Sequence, residues 1–425
     1  MKEYLKKLPK EIKGLINLAA DTASRAGISA YLVGGFVRDL LLGVRNLDLD
    51  IVIEGDGIRF AEEFASILKT RLIRHKRFGT ATIVREPNLK IDIATVRKEY
   101  YPRPAHLPEV SPGTLKDDLK RRDFTINAMA ISITGRDFSR LIDFFDGKSD
   151  LRNKKIRILH NLSFIDDPTR ILRAIRFEKR YNFRIEPKTL AYLKEAVKLG
   201  MLNKVQPQRL RDELIPILKE ESPLKSIRRI RELAGFKFIN PHLAVSKKNC
   251  DLLSSIRTQI LWFKNTHYGR RQPDTWLIYF MALTDSLGIN DVKSVCKRYG
   301  LRKGELNSIL TYKKISDKFI QTLSGDKVRP SAIFNAFEPL SYEVILLLKA
   351  KYKNRNLQRY IKDFFEIYNG MRIQIRGDDL QRLGIAPGPY YQKVFAKVLK
   401  AKLEGSVRTR EEELALIKKI IKREL

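Results

Sequence analysis

Apolar and polar residues in the first third of the chain alternate with a period of two. "AYLVGG", "LDLDIVIEG", "TRLIRHK", "GTATIV" and "LKIDIATV" are short β-rich runs bounded by Gly, Pro or Asn, as half-buried strands are. Residues 10–27 and the stretches "FVRDLLLG" and "GIRFAEEFASILKT" carry a helical period instead. From "DPTRILRAIRF" onward nearly every segment repeats at 3.6 residues, including "PKTLAYLKEAVKLGML", "PQRLRDELIPILKE", "DTWLIYFMALTDSLG" and "EEELALIKKIIKREL". The pattern predicts an α+β chain, a small mixed-sheet head followed by an elongated all-α remainder. "NAFEPLSYE" and "GIAPGPYY" punctuate the helical part as joints. The expected division is a head over 1–150, a helical neck over 151–225, a body over 226–335 and a tail over 336–425.

Within the head, Gly34 and Gly35 end a strand and open a helix. Lacking Cβ, they permit a tight turn and close approach of a ligand to the backbone. The free N–H groups of the following helix suit a phosphate, and Arg38 in its first turn is placed to hold a phosphate oxygen. In "LDLDIVI", period-two geometry puts Asp48 and Asp50 on one face of a strand. Adjacent carboxylates repel unless a cation lies between them, and hard oxygen ligands suit Mg²⁺. An isolated pair of this kind is usually a solvated strand face; the phosphate-ready turn just before it favours a metal site. Asp92 in "KIDIATV" is either a third carboxylate or the exposed residue of its strand.

Charge changes the picture next. With 83 Lys and Arg against 49 Asp and Glu, the formal net charge is +34, more than solubility requires, and it points to a polyanionic partner, nucleic acid ahead of a membrane surface. The two cysteines, Cys250 and Cys296, form no CxxC pair, so neither a zinc knuckle nor a disulfide framework is available. The N-terminal stretch lacks a signal-peptide core, and no apolar run approaches the ~20 residues needed to span a bilayer. A soluble, cytoplasmic protein is expected. The five histidines are scattered without ligand spacing.

"DDPTRILRAIRF" places Arg170, Arg173 and Arg176 three residues apart behind Asp166 and Asp167. Three guanidiniums along one helix are costly unless an anion lies beside them; alone, the stretch reads equally well as a salt-bridged surface helix. The segment 95–118, "TVRKEYYPRPAHLPEVSPGTLKDD", is Pro-rich and aperiodic, and is expected to be irregular.

Together these motifs resemble the class II tRNA nucleotidyltransferases, the CCA-adding enzymes and bacterial poly(A) polymerases. "LVGGFVRDLLLG…LDLD" is similar to their signature, "RRDFTINAMA" to a second motif and "LIDFFDGKSDLRNKKIR" to the linker that follows. "DDPTRILRAIRF" resembles their nucleotide-reading helix and "PQRLRDEL" the next neck motif, while "GDDLQRLGIAPGPYY" looks like the RNA-binding tail. The family usually carries Glu where this chain has Asp166.

The resemblance implies a polymerase-β-like head and template-independent addition of C, A or both to the 3′ end of tRNA, from CTP and ATP with Mg²⁺. It implies Asp48 and Asp50 as metal ligands, with Asp92 sharing the catalytic role. It implies nucleotide contacts from Gly34, Gly35, Arg38, Asp39, Arg122, Asp123, Asp167, Arg170, Arg173 and Arg176. Asp167 and Arg170, three apart, are then expected to share a helical face and offer an acceptor beside a forked donor. That edge matches the amino group and ring acceptor of cytosine or adenine and clashes with uracil or guanine, at about 1–3 kcal/mol per good contact. The alternatives are a poly(A) polymerase, or a catalytically silent RNA-binding relative. "FGTA" in "HKRFGTATIV" looks more like the tRNA-adding branch.

Overall fold

The computed structural model describes residues 1–44, 48–85, 89–267 and 269–424. It divides into two compact units, Met1–Ile217 with Lys225–Phe238, and Leu218–Leu224 with Ile239–Leu425. The four-part division expected with joints near 150, 225 and 335 is finer than this. The sheet and the arginine helix share the first unit.

In that unit α1 (Lys2–Lys6) and α2 (Lys10–Arg25) precede β1 (Ser29–Val33), α3 (Gly34–Leu42), β2 (Leu49–Glu54) and α4 (Gly57–Leu68). Then come β3 (Arg71–His75), β4 (Thr80–Arg85), β5 (Leu89–Thr95), β6 (Arg97–Tyr100), β7 (Glu109–Pro112) and α5 (Leu115–Lys120). β8 (Met129–Ser132), β9 (Leu141–Asp143), α6 (Gly147–Arg152), β10 (Lys155–Ile156), α7 (Ser163–Asp166), α8 (Thr169–Arg180) and β11 (Arg184–Ile185) follow. α9 (Pro187–Lys198), α10 (Pro207–Lys219) and α11 (Pro223–Leu233) continue the chain.

Seven strands form one mixed sheet in the order β3-β4-β5-β2-β1-β8-β9. β2 and β5 run parallel; the other neighbours in this sheet are antiparallel. The alternation read in "LDLDIVI" sorts β2 by face. Leu49, Ile51 and Ile53 are buried on one side, and α2 and α4 lie against the sheet. On the other, Asp50 is followed by Val52, which packs with Val33, Val96, Ala128 and Ala130 and with Leu115 and Leu119 of α5. The acidic face therefore runs into a second core instead of into solvent. Phe124, Ile126, Ala128 and Ala130 are all fully buried, as core residues of "RRDFTINAMA".

The segment 95–118 departs from the irregular loop expected of it. β6 and β7 pair as an antiparallel ribbon, with Glu99 opposite Val110. Its prolines do not prevent this: Pro102, Pro104 and Pro108 fall in the connection and Pro112 at a strand end. No apolar period announced the ribbon, because the half-buried positions of β6 are Arg97 and Glu99.

In the second unit, α12 (Lys247–Thr266), α13 (Thr275–Leu283), α14 (Ile289–Arg298), α15 (Lys303–Lys314), α16 (Asp317–Thr322) and α17 (Pro330–Phe337) precede α18 (Tyr342–Lys351). α12, α13 and α18 pack on one another, and Val344 through Leu348 are wholly buried. α19 (Arg355–Asp363), α20 (Gly377–Arg382), α21 (Pro389–Leu403) and α22 (Arg410–Glu424) follow. Leu380, Val394, Val398 and Ile417 give the last three a core of their own. Among the described residues no single helix is long and apolar enough to cross a membrane.

Candidate active site

Gly34 opens α3 with φ of +67°. A Cβ there would lie 2.7 Å from Arg122 Nη1 and 3.3 Å from Asp50 Oδ2, so this position requires glycine both for its backbone conformation and for space. A Cβ on Gly35 would meet Arg38 Nη2 at 3.5 Å. The turn thus brings one carboxylate and two guanidiniums around a bare stretch of backbone.

A cavity of about 410 Å³ opens over this turn. Of the residues expected in a site, Gly34, Gly35, Arg38, Asp50, Arg122, Asp123, Asp167, Arg170 and Arg173 line it. Asp39, Asp48, Asp92 and Arg176 lie outside its lining. Glu99, Tyr101, Arg121 and Asn127 line it without having been anticipated.

Parallel pairing of β2 with β5 makes Asp50 and Asp92 register partners. Asp92 accepts hydrogen bonds from Thr82 Oγ1 at 2.7 Å and Lys90 Nζ at 2.5 Å. Burial pushes the Asp50 carboxyl up to about 6; Arg122 opposes the rise and Asp92 adds to it. Asp48 is exposed, one residue ahead of β2. Among the described residues no three acidic, His or Cys side chains close into a ligand cluster. Yet a desolvated carboxyl beside a second one is a site that a hard dication stabilises, its remaining ligands coming from water or phosphate. The donor set fits such an ion.

Cations line the same cavity. The fully buried Asp118 accepts from Arg121 on Oδ1 and from Arg122 Nη2 on Oδ2. Against burial, Arg122 and Arg121 hold its carboxyl below the usual range. Arg122 Nε is buried without a hydrogen-bond partner. Glu99 Oε1 accepts from Arg121 Nη1 at 3.0 Å, and Tyr101 donates its hydroxyl to Glu99 Oε2. The ribbon is thereby fastened to the end of α5.

Asp123 is buried and engaged through both oxygens. Oδ1 accepts from Phe124 N and Asn127 Nδ2; Oδ2 accepts from Arg173 Nε at 2.8 Å. Arg173 also reaches Glu213 on α10 at 3.2 Å. Arg176 lies with its guanidinium over the Phe177 ring.

The start of α8 corrects the expectation of a shared Asp167–Arg170 helical face. Pro168, which has no N–H to lose, precedes the first helical residue, Thr169. Its ring disfavours helical backbone in the residue before it, and Asp167 is extended and stands before the helix. Its Oδ1 accepts from Thr169 N, Thr169 Oγ1 and Arg209 Nη2. Arg170 donates to Ser163 Oγ at 2.6 Å and to the Arg121 carbonyl at 2.8 Å. Both side chains still border the same cavity, Asp167 as a residue clamped by Arg209. The motif "PQRLRDEL" contained that arginine, but its partner became evident only in three dimensions.

The chain resembles known proteins over most of its length. Residues 30–157 match the model of the poly A polymerase head domain, and residues 182–246 that of a probable RNA and SrmB-binding site of polymerase A. The chain is 39% identical to an A-adding tRNA nucleotidyltransferase of Geobacter sulfurreducens over 96% of its own length; it spans about half, 47%, of that relative. It is 30% identical to an A-adding tRNA nucleotidyltransferase of Halalkalibacterium halodurans, covering 94% of this chain and 90% of the relative. The solved structure of a Thermotoga maritima CCA-adding enzyme complexed with tRNA superposes with a TM-score of 0.72 at 36% identity, over 99% of this chain and 98% of that one. The chain belongs to the tRNA nucleotidyltransferase family.

Proposed function

We propose that this protein adds C, A or both to the 3′ end of tRNA without a template, using CTP and ATP with Mg²⁺ in the cytoplasm. One observation carries the reading: a glycine turn, a desolvated carboxylate and several arginines line one cavity together with Asp167 and Arg170. In this reading Arg38 and Arg122, which both line the cavity, hold the triphosphate. Asp48 and Asp50 would hold the metal, which supplies charge neutralisation at the transferring phosphate when bound. Asp92 holds or accepts the proton of the attacking hydroxyl. Asp167 and Arg170 read the base edge, each pinned by a protein partner so that little reorganisation is needed on binding.

The tRNA partner is supported by the net charge of +34 and by the tRNA bound in the Thermotoga relative. Adenosine as a transferred nucleotide is supported by the two relatives named A-adding. Incubation with tRNAs lacking CCA, CA or only the final A, with CTP and ATP offered separately, tests the reading. Discrete additions of one to three nucleotides are expected. An adenosine ladder on any RNA would replace it with poly(A) synthesis, and no incorporation with any primer would overturn it.

A further inference from the structure

We infer that Tyr181 is a positioning residue for nucleotide binding: it fixes the guanidinium of Arg38 at the glycine turn. This rests on the proposed function only in taking the turn as the seat of a triphosphate. Tyr181 follows the last residue of α8, whereas Arg38 lies on α3. The Tyr181 hydroxyl donates to Asp39 Oδ1 at 3.0 Å across 142 residues of sequence. That same oxygen accepts Arg38 Nε at 2.8 Å and pairs with Nη2 at 2.8 Å. Asn127 Oδ1 accepts from Nη1 at 2.6 Å.

Two rings complete the clamp. The Arg38 guanidinium carbon lies 4.8 Å from the Tyr181 ring centre and 5.1 Å from that of Phe177. Arg38 is 6% exposed. An arginine held this way cannot change rotamer without losing cation–π contacts and an ion pair together. What it presents is the Nη edge, with Nη2 at 3.5 Å and Nη1 at 3.9 Å from where a Gly35 Cβ would stand. The glycine leaves the guanidinium room to lie close against the turn, and both residues line the cavity there, so a phosphate entering it meets bare backbone and the Nη edge together. Asp39 is bound into this arrangement at 2% exposure and acts on the ligand through Arg38.

Burial, with Asp39 and its hydrogen bond adding to the rise, pushes the Tyr181 phenol up to about 12. The hydroxyl is therefore a permanent donor at any working pH. Its function is orientation, with no proton transferred.

The test compares Tyr181→Phe, which keeps the ring and removes the donor, with Tyr181→Leu, which removes both. Binding of ATP by calorimetry, competition by inorganic tripolyphosphate and unfolding midpoints are measured on the full chain. Tyr181→Phe should weaken both ATP and tripolyphosphate about fivefold with a modestly lowered midpoint, and Tyr181→Leu should weaken both by more. In steady state the loss should fall on KM for the nucleotide while kcat stays within about twofold. In an Arg38→Lys background, which loses the planar fork, Tyr181→Phe should cost nothing further. Unchanged tripolyphosphate affinity in Tyr181→Phe, or an equal loss when Tyr181→Phe is added to Arg38→Lys, overturns the inference. Binding does not depend on the transfer reaction, so failure to extend tRNA would reject the proposed function while these affinities still decide the role of Tyr181.

Discussion

Asp50 and Asp92 face each other across the β2–β5 pairing, a parallel contact in a sheet whose other described pairings are antiparallel. Parallel strands need a crossover, here supplied by α4, β3 and β4. Two carboxylates distant in sequence thus come to one sheet face. Asp50→Asn should lower nucleotide incorporation by about a thousandfold, the order of several kcal/mol of lost charge stabilisation. Gel-shift affinity for tRNA should be unchanged, and a variant retaining normal turnover would remove Asp50 from the chemistry.

Gly34→Ala is expected to act on both stability and binding. Its φ of +67° costs an L residue about 1–2 kcal/mol, and the new methyl would stand 2.7 Å from Arg122 Nη1. A lowered unfolding midpoint together with weaker ATP binding is the expected pair of results.

Asp167→Ala should relax base choice more than it weakens triphosphate binding. Discrimination of ATP or CTP over UTP, measured as a ratio of kcat/KM, should fall about tenfold. Arg209→Met should shift the same ratio in the same direction, since Arg209 holds Asp167 Oδ1 at 2.8 Å.

His160 supplies a pH test. Burial, aided by the charges of Arg170 and Lys120, pushes its pKa down to about 4, while Asp166 Oδ2 lies 3.8 Å from Nδ1. The unfolded chain therefore binds a proton here between about pH 6.5 and 4 that the folded chain refuses. The stabilisation associated with neutral His160 is full above about pH 6.5 and is lost as pH falls through that window. His160→Asn should flatten this part of the urea-midpoint profile between pH 7.5 and 5, judged as the difference from the parent protein.

Strands β1 to β5 and the acidic alternation were legible from their apolar runs, whereas β8 and β9 of the same sheet were not read as strands. The glycine turn was legible for the same local reason. Tertiary pairings were not: Arg209 with Asp167, Glu213 with Arg173 and Tyr181 with Asp39 join residues 40 or more positions apart, and none leaves a periodic trace. The β6–β7 ribbon escaped because its inward positions are charged, and Glu99 and Tyr101 were missed with it. Asp167 was expected to share a helical face with Arg170, but it stands extended ahead of Pro168 and Thr169, where the helix begins.

The β2–β5 register also sets which kinds of sequence change the protein can absorb. Either neighbour of Asp92, Ile91 or Ile93, is wholly interred among the hydrocarbon side chains of the opposite face. Adding or deleting a single residue early in β5 would rotate one of those isoleucines into the acidic position and drive the aspartate into oil. Point substitutions along this strand are therefore graded insults, whereas a change of length by one is a switch that removes the carboxylate altogether.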